Sequence, residues 1–210
     1  MKISKQNNNI NFTSTPLHQI KIPDINGVLI KAFISKINPK DKLDLQAIKK
    51  IEKEWPPEFI KDEICEHFIR DSKKNSILKY YCIELDKQGP LKDKIISLAS
   101  SFTNHNFFNE GKLDYYLSLI KTKEDFDSLT TDRKIKNIGK IMLGKIFQDA
   151  KQENCLSLSF FAYKTSKLFY EKIFNKIGIS FYEKDGDFTI KRKEFDKYIK
   201  YVKKKFNIIF

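Results

Sequence analysis

Arginine is nearly absent from this chain of 210 residues: of 40 basic side chains, only Arg70, Arg133 and Arg192 carry a guanidinium. The planar fork that grips phosphate or guanine edges bidentately is therefore scarce. The formal charge of +13 accordingly reads first as a solvated lysine surface and only second as a dedicated nucleic-acid site. Cysteine is sparse as well. Cys65, Cys82 and Cys155 stand far apart, without CxxC spacing and each within an apolar pattern, which predicts buried reduced thiols and no disulfide framework. The histidines His18, His67 and His105 are equally scattered, and no metal site can be written from them. No apolar run approaches the ~20 residues that span a bilayer. The start MKISKQNNNINFTSTP has no apolar signal core, so a reducing cytoplasmic home is the expectation.

What is present has a readable order. Residues 1–15 are polar and Asn-rich and read as a flexible leader of the kind also found on secreted bacterial effectors, which keeps a host cytoplasm open as the site of action. Residues 16–193 read as one domain and residues 194–210 as a basic amphipathic helix packed on it, with Phe195, Tyr198, Ile199, Val202 and Phe206 inward. Within the domain, Leu17 to Ile22 and Val28 to Ile34 flank the turn PDING as a hairpin. A helix over Asp41 to Trp55 ends at Pro56-Pro57, and a second helix follows with Ile60, Ile64, Phe68 and either Cys65 or Ile69 inward. The period then changes to that of strands over Ile77 to Leu85, Lys94 to Phe102 and Leu113 to Thr122, three antiparallel strands.

The segment from Lys134 to Lys172 is the most informative. NIGK opens a helix whose apolar face carries Met142, Leu143, Ile146, Phe147 and Ala150, and whose first N–H groups lack internal partners, which favours an anionic group there. CLSLSFFA, Cys155 to Ala162, is a short buried strand expected to run parallel to the one before the helix. A helix over Lys164 to Phe174 and a hairpin of Gly178 to Lys184 with Phe188 to Arg192, turning at Asp185-Gly186-Asp187, complete it.

With Lys134, Asn137 and Gly139 on the three marked positions of a cofactor motif, and Ser166 preceding Leu168-Phe169-Tyr170-Glu171-Lys172, the chain resembles the GNAT superfamily of acetyl-CoA-dependent N-acyltransferases over Asp114 to about Phe181. Lysine stands where that family has Arg or Gln. Asn137 stands at its first Gly, and Asn is the residue next most tolerant of a left-handed backbone. The resemblance implies an α/β (α+β) fold with a mixed, mostly antiparallel central sheet flanked by helices. It implies acetyl-CoA as cofactor, its pyrophosphate on Lys134, Lys136, Asn137, Ile138, Gly139 and Lys140, its pantetheine arm paired like a strand with Leu119, Ile120 and Lys121, and Tyr170 as the acid that protonates the leaving thiolate. The acceptor is left open among a primary amine of a protein, an aminoacyl-tRNA or a small molecule, and oligomeric state is left open too. His105, Glu110, Asp114, Glu66 and His67 are the candidates for a general base, and a water relay could replace them all. Two alternatives stand beside this reading: a degenerate GNAT scaffold acting as a binding or effector module, and a nucleic-acid-binding protein that uses its basic tail helix.

Overall fold

Asp24 begins the first turn. Its Oδ1 accepts the N–H groups of Asn26 and Val28, both at 2.8 Å, while Gly27 takes the left-handed φ of +83° that closes the bend. The turn joins β1 (Thr15–Pro23) to β2 (Leu29–Ile37) in an antiparallel hairpin. These coordinates are a computed structural model that describes residues 15–24, 26–55, 59–73, 77–86, 95–105, 113–122, 135 and 137–208.

Asp41 starts α1 (Lys42–Glu54) as an N-cap, its carboxylate accepting the N–H groups of Leu43 and Asp44. Trp55 leaves the helix in extended backbone, and α2 (Phe59–Asp71) follows. Three strands come next, β3 (Lys79–Leu85), β4 (Ile95–His105) and β5 (Leu113–Thr122), all antiparallel as the sequence predicts. Then α3 (Ile138–Gln152), β6 (Ser157–Phe161), α4 (Lys164–Ile177), β7 (Phe181–Lys184) and β8 (Asp187–Lys191) lead through a short turn to α5 (Phe195–Phe206). The expected helix of Lys164 to Phe174 runs on to Ile177, and the strand expected from Gly178 begins at Phe181. Gly178 explains both shifts: at φ +72° it caps α4, its N–H donating back to the carbonyl of Asn175.

The strands form one eight-stranded sheet in the order β1-β2-β3-β4-β5-β6-β8-β7, and only β5 and β6 are parallel. Helices lie on both faces. On one face Phe147 of α3, Phe174 of α4 and Phe195 and Tyr198 of α5 meet ring to ring with Phe160 and Phe188 of the sheet. On the other, Ile48, Ile51 and Trp55 of α1 and Ile64, Cys65 and Phe68 of α2 cover Ile37, Tyr80, Cys82, Leu98 and Leu119. Of the two candidates for the inward side of α2, Cys65 is fully buried and Ile69 is half-buried.

One seam was not legible in the sequence. Lys145, Asp149 and Glu153 recur at four-residue spacing on α3, so the helix turns all three toward the sheet beside its apolar stripe. Lys145 pairs with Asp149, Lys79 and Thr103 bond Glu153, and the Ser101 and Tyr115 hydroxyls meet at 2.9 Å. Burial, reinforced by Tyr115 and Asp149, pushes the Tyr81 phenol far above its ordinary range, so it stays protonated. Charge here is buried because it is paired.

Candidate active site

Two irregularities mark β5. The parallel pairing with β6 covers only Asp114, Tyr115 and Tyr116, opposite Ser157, Leu158 and Ser159. Beyond Tyr116 no described strand lies along that edge of β5, although β6 stays paired with β8 through Phe161. On its other edge the register with β4 slips: Ser100 faces Leu119 and Ser101 faces Leu117, which leaves Ser118 without an opposite residue. The extra residue inverts the strand. Leu117 packs into the core under α3 while Leu119 packs under α1 and α2, although two residues apart on a regular strand share a face. Such a bulge re-aims main-chain groups, and here it sits beside a strand edge that no described strand pairs.

Beside the bulge, Ser100 is fully buried and its hydroxyl has no hydrogen-bond partner among the described residues. A buried orphan hydroxyl costs stability and is commonly tolerated only for another reason.

The helix that follows β5 supplies donors at the same end. In a strand-helix-strand crossover with parallel strands the helix runs back, so the N-terminus of α3 lies where β5 and β6 diverge. Asn137 precedes it at φ +68° and ψ 15°, the left-handed conformation that its type tolerates. Its side chain does not cap the helix; its Oδ1 instead accepts from Lys140 Nζ at 3.0 Å. No acidic residue occupies the first turn, so the positive helix end is not answered by a carboxylate of that turn. A Cβ built on Gly139 would meet nothing within 4 Å, so there is open space against this turn. Lys134 and Lys136 lie outside the described residues. Leu119, Ile120 and Lys121 lie on β5 beyond its pairing with β6, and Ile138 is buried as the first residue of α3.

Tyr170 comes from α4. Its ring packs against Phe160 at 4.6 Å, Phe169 at 5.1 Å and Phe188 at 5.8 Å, and it is 6% exposed. Phe160 is the β6 residue just past Ser159, so the phenol is held against the β6 wall where the strands part. Its hydroxyl makes no hydrogen bond among the described residues, and burial alone raises its pKa above the ordinary phenol value. It therefore remains an O–H donor throughout the neutral range.

The general-base candidates are not brought together. Asp114 accepts the Ser157 hydroxyl at 2.7 Å at the closed end of the β5–β6 pair, ~13 Å along the strand from Ser118. Glu66 is exposed on α2. His67 is half-buried on the same helix, its Nδ1 enclosed and without a hydrogen-bond partner among the described residues. His105 ends β4 with its side chain outside the described residues, as is Glu110. Sequence reasoning missed both Ser118 and Ser100. Only the serine-rich run of β4, LASSF, hints at the second, and a bulge leaves no mark on hydropathy.

No protein-family model matches the sequence, and no curated protein matches it. Solved structures do resemble the fold. The AtaTR complex bound with AcCoA superposes with a TM-score of 0.52 at 12% identity, over 79% of this chain and 96% of that one. The AtaT toxin bound to the C-terminus of the antitoxin AtaR gives 0.52 at 10% identity, over 79% and 94%. Glucosamine-6-phosphate N-acetyltransferase from Arabidopsis thaliana gives 0.48 at 17%, over 73% and 95%. The chain has the GNAT fold.

Proposed function

We propose that this protein is an N-acetyltransferase that moves the acetyl group of acetyl-CoA to a primary amine of a protein, an aminoacyl-tRNA or a small molecule. The observation that carries the proposal is the coincidence of three features: the edge of β5 that no described strand pairs beyond Tyr116, with its bulge at Ser118, the N-terminus of α3 behind Asn137 with no acidic residue in its first turn, and the Tyr170 ring packed on Phe160 of β6. Each suits one part of a thioester donor.

The N–H groups opening α3, with Ile138, Gly139 and Lys140, would take the pyrophosphate, and Lys134 and Lys136 would add charge. The edge of β5 at Leu119, Ile120 and Lys121 would pair with the amides of the pantetheine arm as a neighbouring strand does. A main-chain N–H at the bulge would polarise the thioester carbonyl oxygen. The amine nitrogen then forms a bond to the carbonyl carbon as the carbon–sulfur bond breaks. The amine proton leaves to water or to a base that water reaches, and the departing thiolate takes its proton from Tyr170. A phenol held protonated by burial is a hydrogen-bond donor to that sulfur at any neutral pH.

Calorimetric titration with acetyl-CoA tests the cofactor, and release of free thiol in the presence of a panel of amines, acidic peptides and aminoacyl-tRNA tests transfer. No heat at high micromolar cofactor would remove the proposal. Tight binding without turnover on any acceptor would leave a scaffold that binds acetyl-CoA and does not catalyse.

A further inference from the structure

Among the described residues, the face of the sheet that carries α1 and α2 is covered on only one half. Every sheet residue of the core beneath those helices belongs to β2, β3, β4 or β5, and none of the described ones comes from β6, β7 or β8. What the bare half presents follows from the register. Tyr182 pairs with Thr189, Thr189 with Ser159, Ser159 with Tyr116 and Tyr116 with Phe102, a single row across five strands. Phe102 and Tyr116 are stacked, centroids 5.1 Å apart and planes at 12°, while Ser159 and Thr189 hydrogen-bond at 3.1 Å. The row is thus aromatic at both ends with a floor of two small hydroxyl residues, and Tyr116 and Tyr182 stand ~14 Å apart at three strand spacings.

The rows on either side add an aromatic and two cations. In one, Phe161 pairs with Asp187 and Asp187 with Lys184; in the other, Asp114 pairs with Ser157 and Ser157 with Lys191. Phe161 is 53% exposed and Tyr182 is 63% exposed, and both lysines are exposed. The Phe161 ring is also fixed in place, edge-on to Tyr163 at 5.3 Å and so close to the Gly186 turn that a Cβ there would fall 2.9 Å from it. Two acidic groups share the face: Asp187 is exposed, whereas the Asp114 carboxylate is engaged by Ser157.

We propose that this bare half-sheet is a binding platform for single-stranded nucleic acid. Exposed aromatic rings on an open sheet stack unpaired bases, and lysines at the margins meet the phosphates without requiring the guanidinium forks that this chain lacks. Charge argues for this occupant over a second copy of the chain. A two-fold contact through this face would bring together two chains of formal charge +13 each, whereas a polyanion is attracted by that charge. The platform stands apart from the proposed acyl transfer, and either can fail without the other.

Fluorescence anisotropy of the full chain with a short, labelled, mixed-sequence RNA single strand tests it, with the matching duplex and the same sequence as DNA for comparison. Tyr182→Ala and Phe161→Ala are each expected to weaken single-strand binding about fivefold or more, the duplex to bind more weakly than the single strand, and Lys184→Gln with Lys191→Gln to flatten the salt dependence. Both aromatic positions are exposed, and unchanged thermal unfolding verifies that the variants fold. The proposal is overturned if the aromatic variants bind as tightly as the parent, if duplex and single strand bind alike, or if Lys200→Gln with Lys204→Gln on α5 removes all the binding. It is equally overturned if sedimentation shows a parent dimer that Tyr182→Ala converts to a monomer.

Discussion

The two faces of this sheet are built from the same aromatic-rich composition and use it in opposite ways. Under α3, α4 and α5 the rings of Phe147, Phe160, Phe174, Phe188, Phe195 and Tyr198 pack against one another and enclose Tyr170. On the other face Phe161 and Tyr182 stand exposed on β6 and β7, strands that add nothing to the core under α1 and α2, and the half-buried Phe102 and Tyr116 stand beside them on β4 and β5. Aromatic content alone therefore does not identify a core. What decides is whether a helix stripe is available to answer the sheet face.

Truncation contrasts the faces most sharply. Phe147→Ala is expected to lose about 3–5 kcal/mol by urea unfolding, because it removes a ring fully enclosed by three others. Phe161→Ala on the open face should stay within about 0.5 kcal/mol. Equal losses would erase the distinction between the faces.

Next in size is Tyr170→Phe. It removes a hydroxyl that bonds to no described residue, so stability should hold while turnover falls about a hundredfold or more in a thiol-release assay. Turnover equal to the parent would return Tyr170 to the aromatic core as packing and nothing else.

Asn137→Ala is expected to cost about 1 kcal/mol and to weaken acetyl-CoA binding, since alanine bears the left-handed φ of +68° poorly; Asn137→Gly should restore both. A glycine variant as impaired as the alanine one would show that the Asn137 amide, and not the backbone, matters.

The smallest effect near neutral pH belongs to Cys65, beneath α2. Burial pushes its thiol from an ordinary value of 9.0 up to about 12. Between those values the unfolded chain has lost a proton that the folded chain keeps, so stability is fully present below pH 9 and falls as pH rises toward 12. Cys65→Ala should flatten that fall in alkaline denaturation curves, and the parent thiol should resist alkylation at pH 8 until the protein unfolds.

Much of the fold was legible because its signals are local. Asp41 marked the start of α1 and Asp185-Gly186 the β7–β8 turn at φ +54° and +95°, whereas Gly178, read as the first residue of a strand, is the cap that ends α4. Of the proposed site, Asn137, Gly139 and Tyr170 were singled out through the motifs of the family resemblance. Ser100, Ser118 and the charged seam of Lys145, Asp149 and Glu153 were not, since a bulge and a buried ion pair depend on strands and helices distant in the chain.

By itself the sequence determined the succession of helices and strands, the left-handed turn at Asn137 and the parallel β5–β6 crossover, because each follows from the preferences of neighbouring residues. Where β5 and β6 part, which hydroxyls are stranded beside the split, and which half of the sheet is left bare were decided only in three dimensions. Those features come from how far two strands stay in register and how much of a sheet two helices can cover, and neither quantity is written in any local stretch of chain.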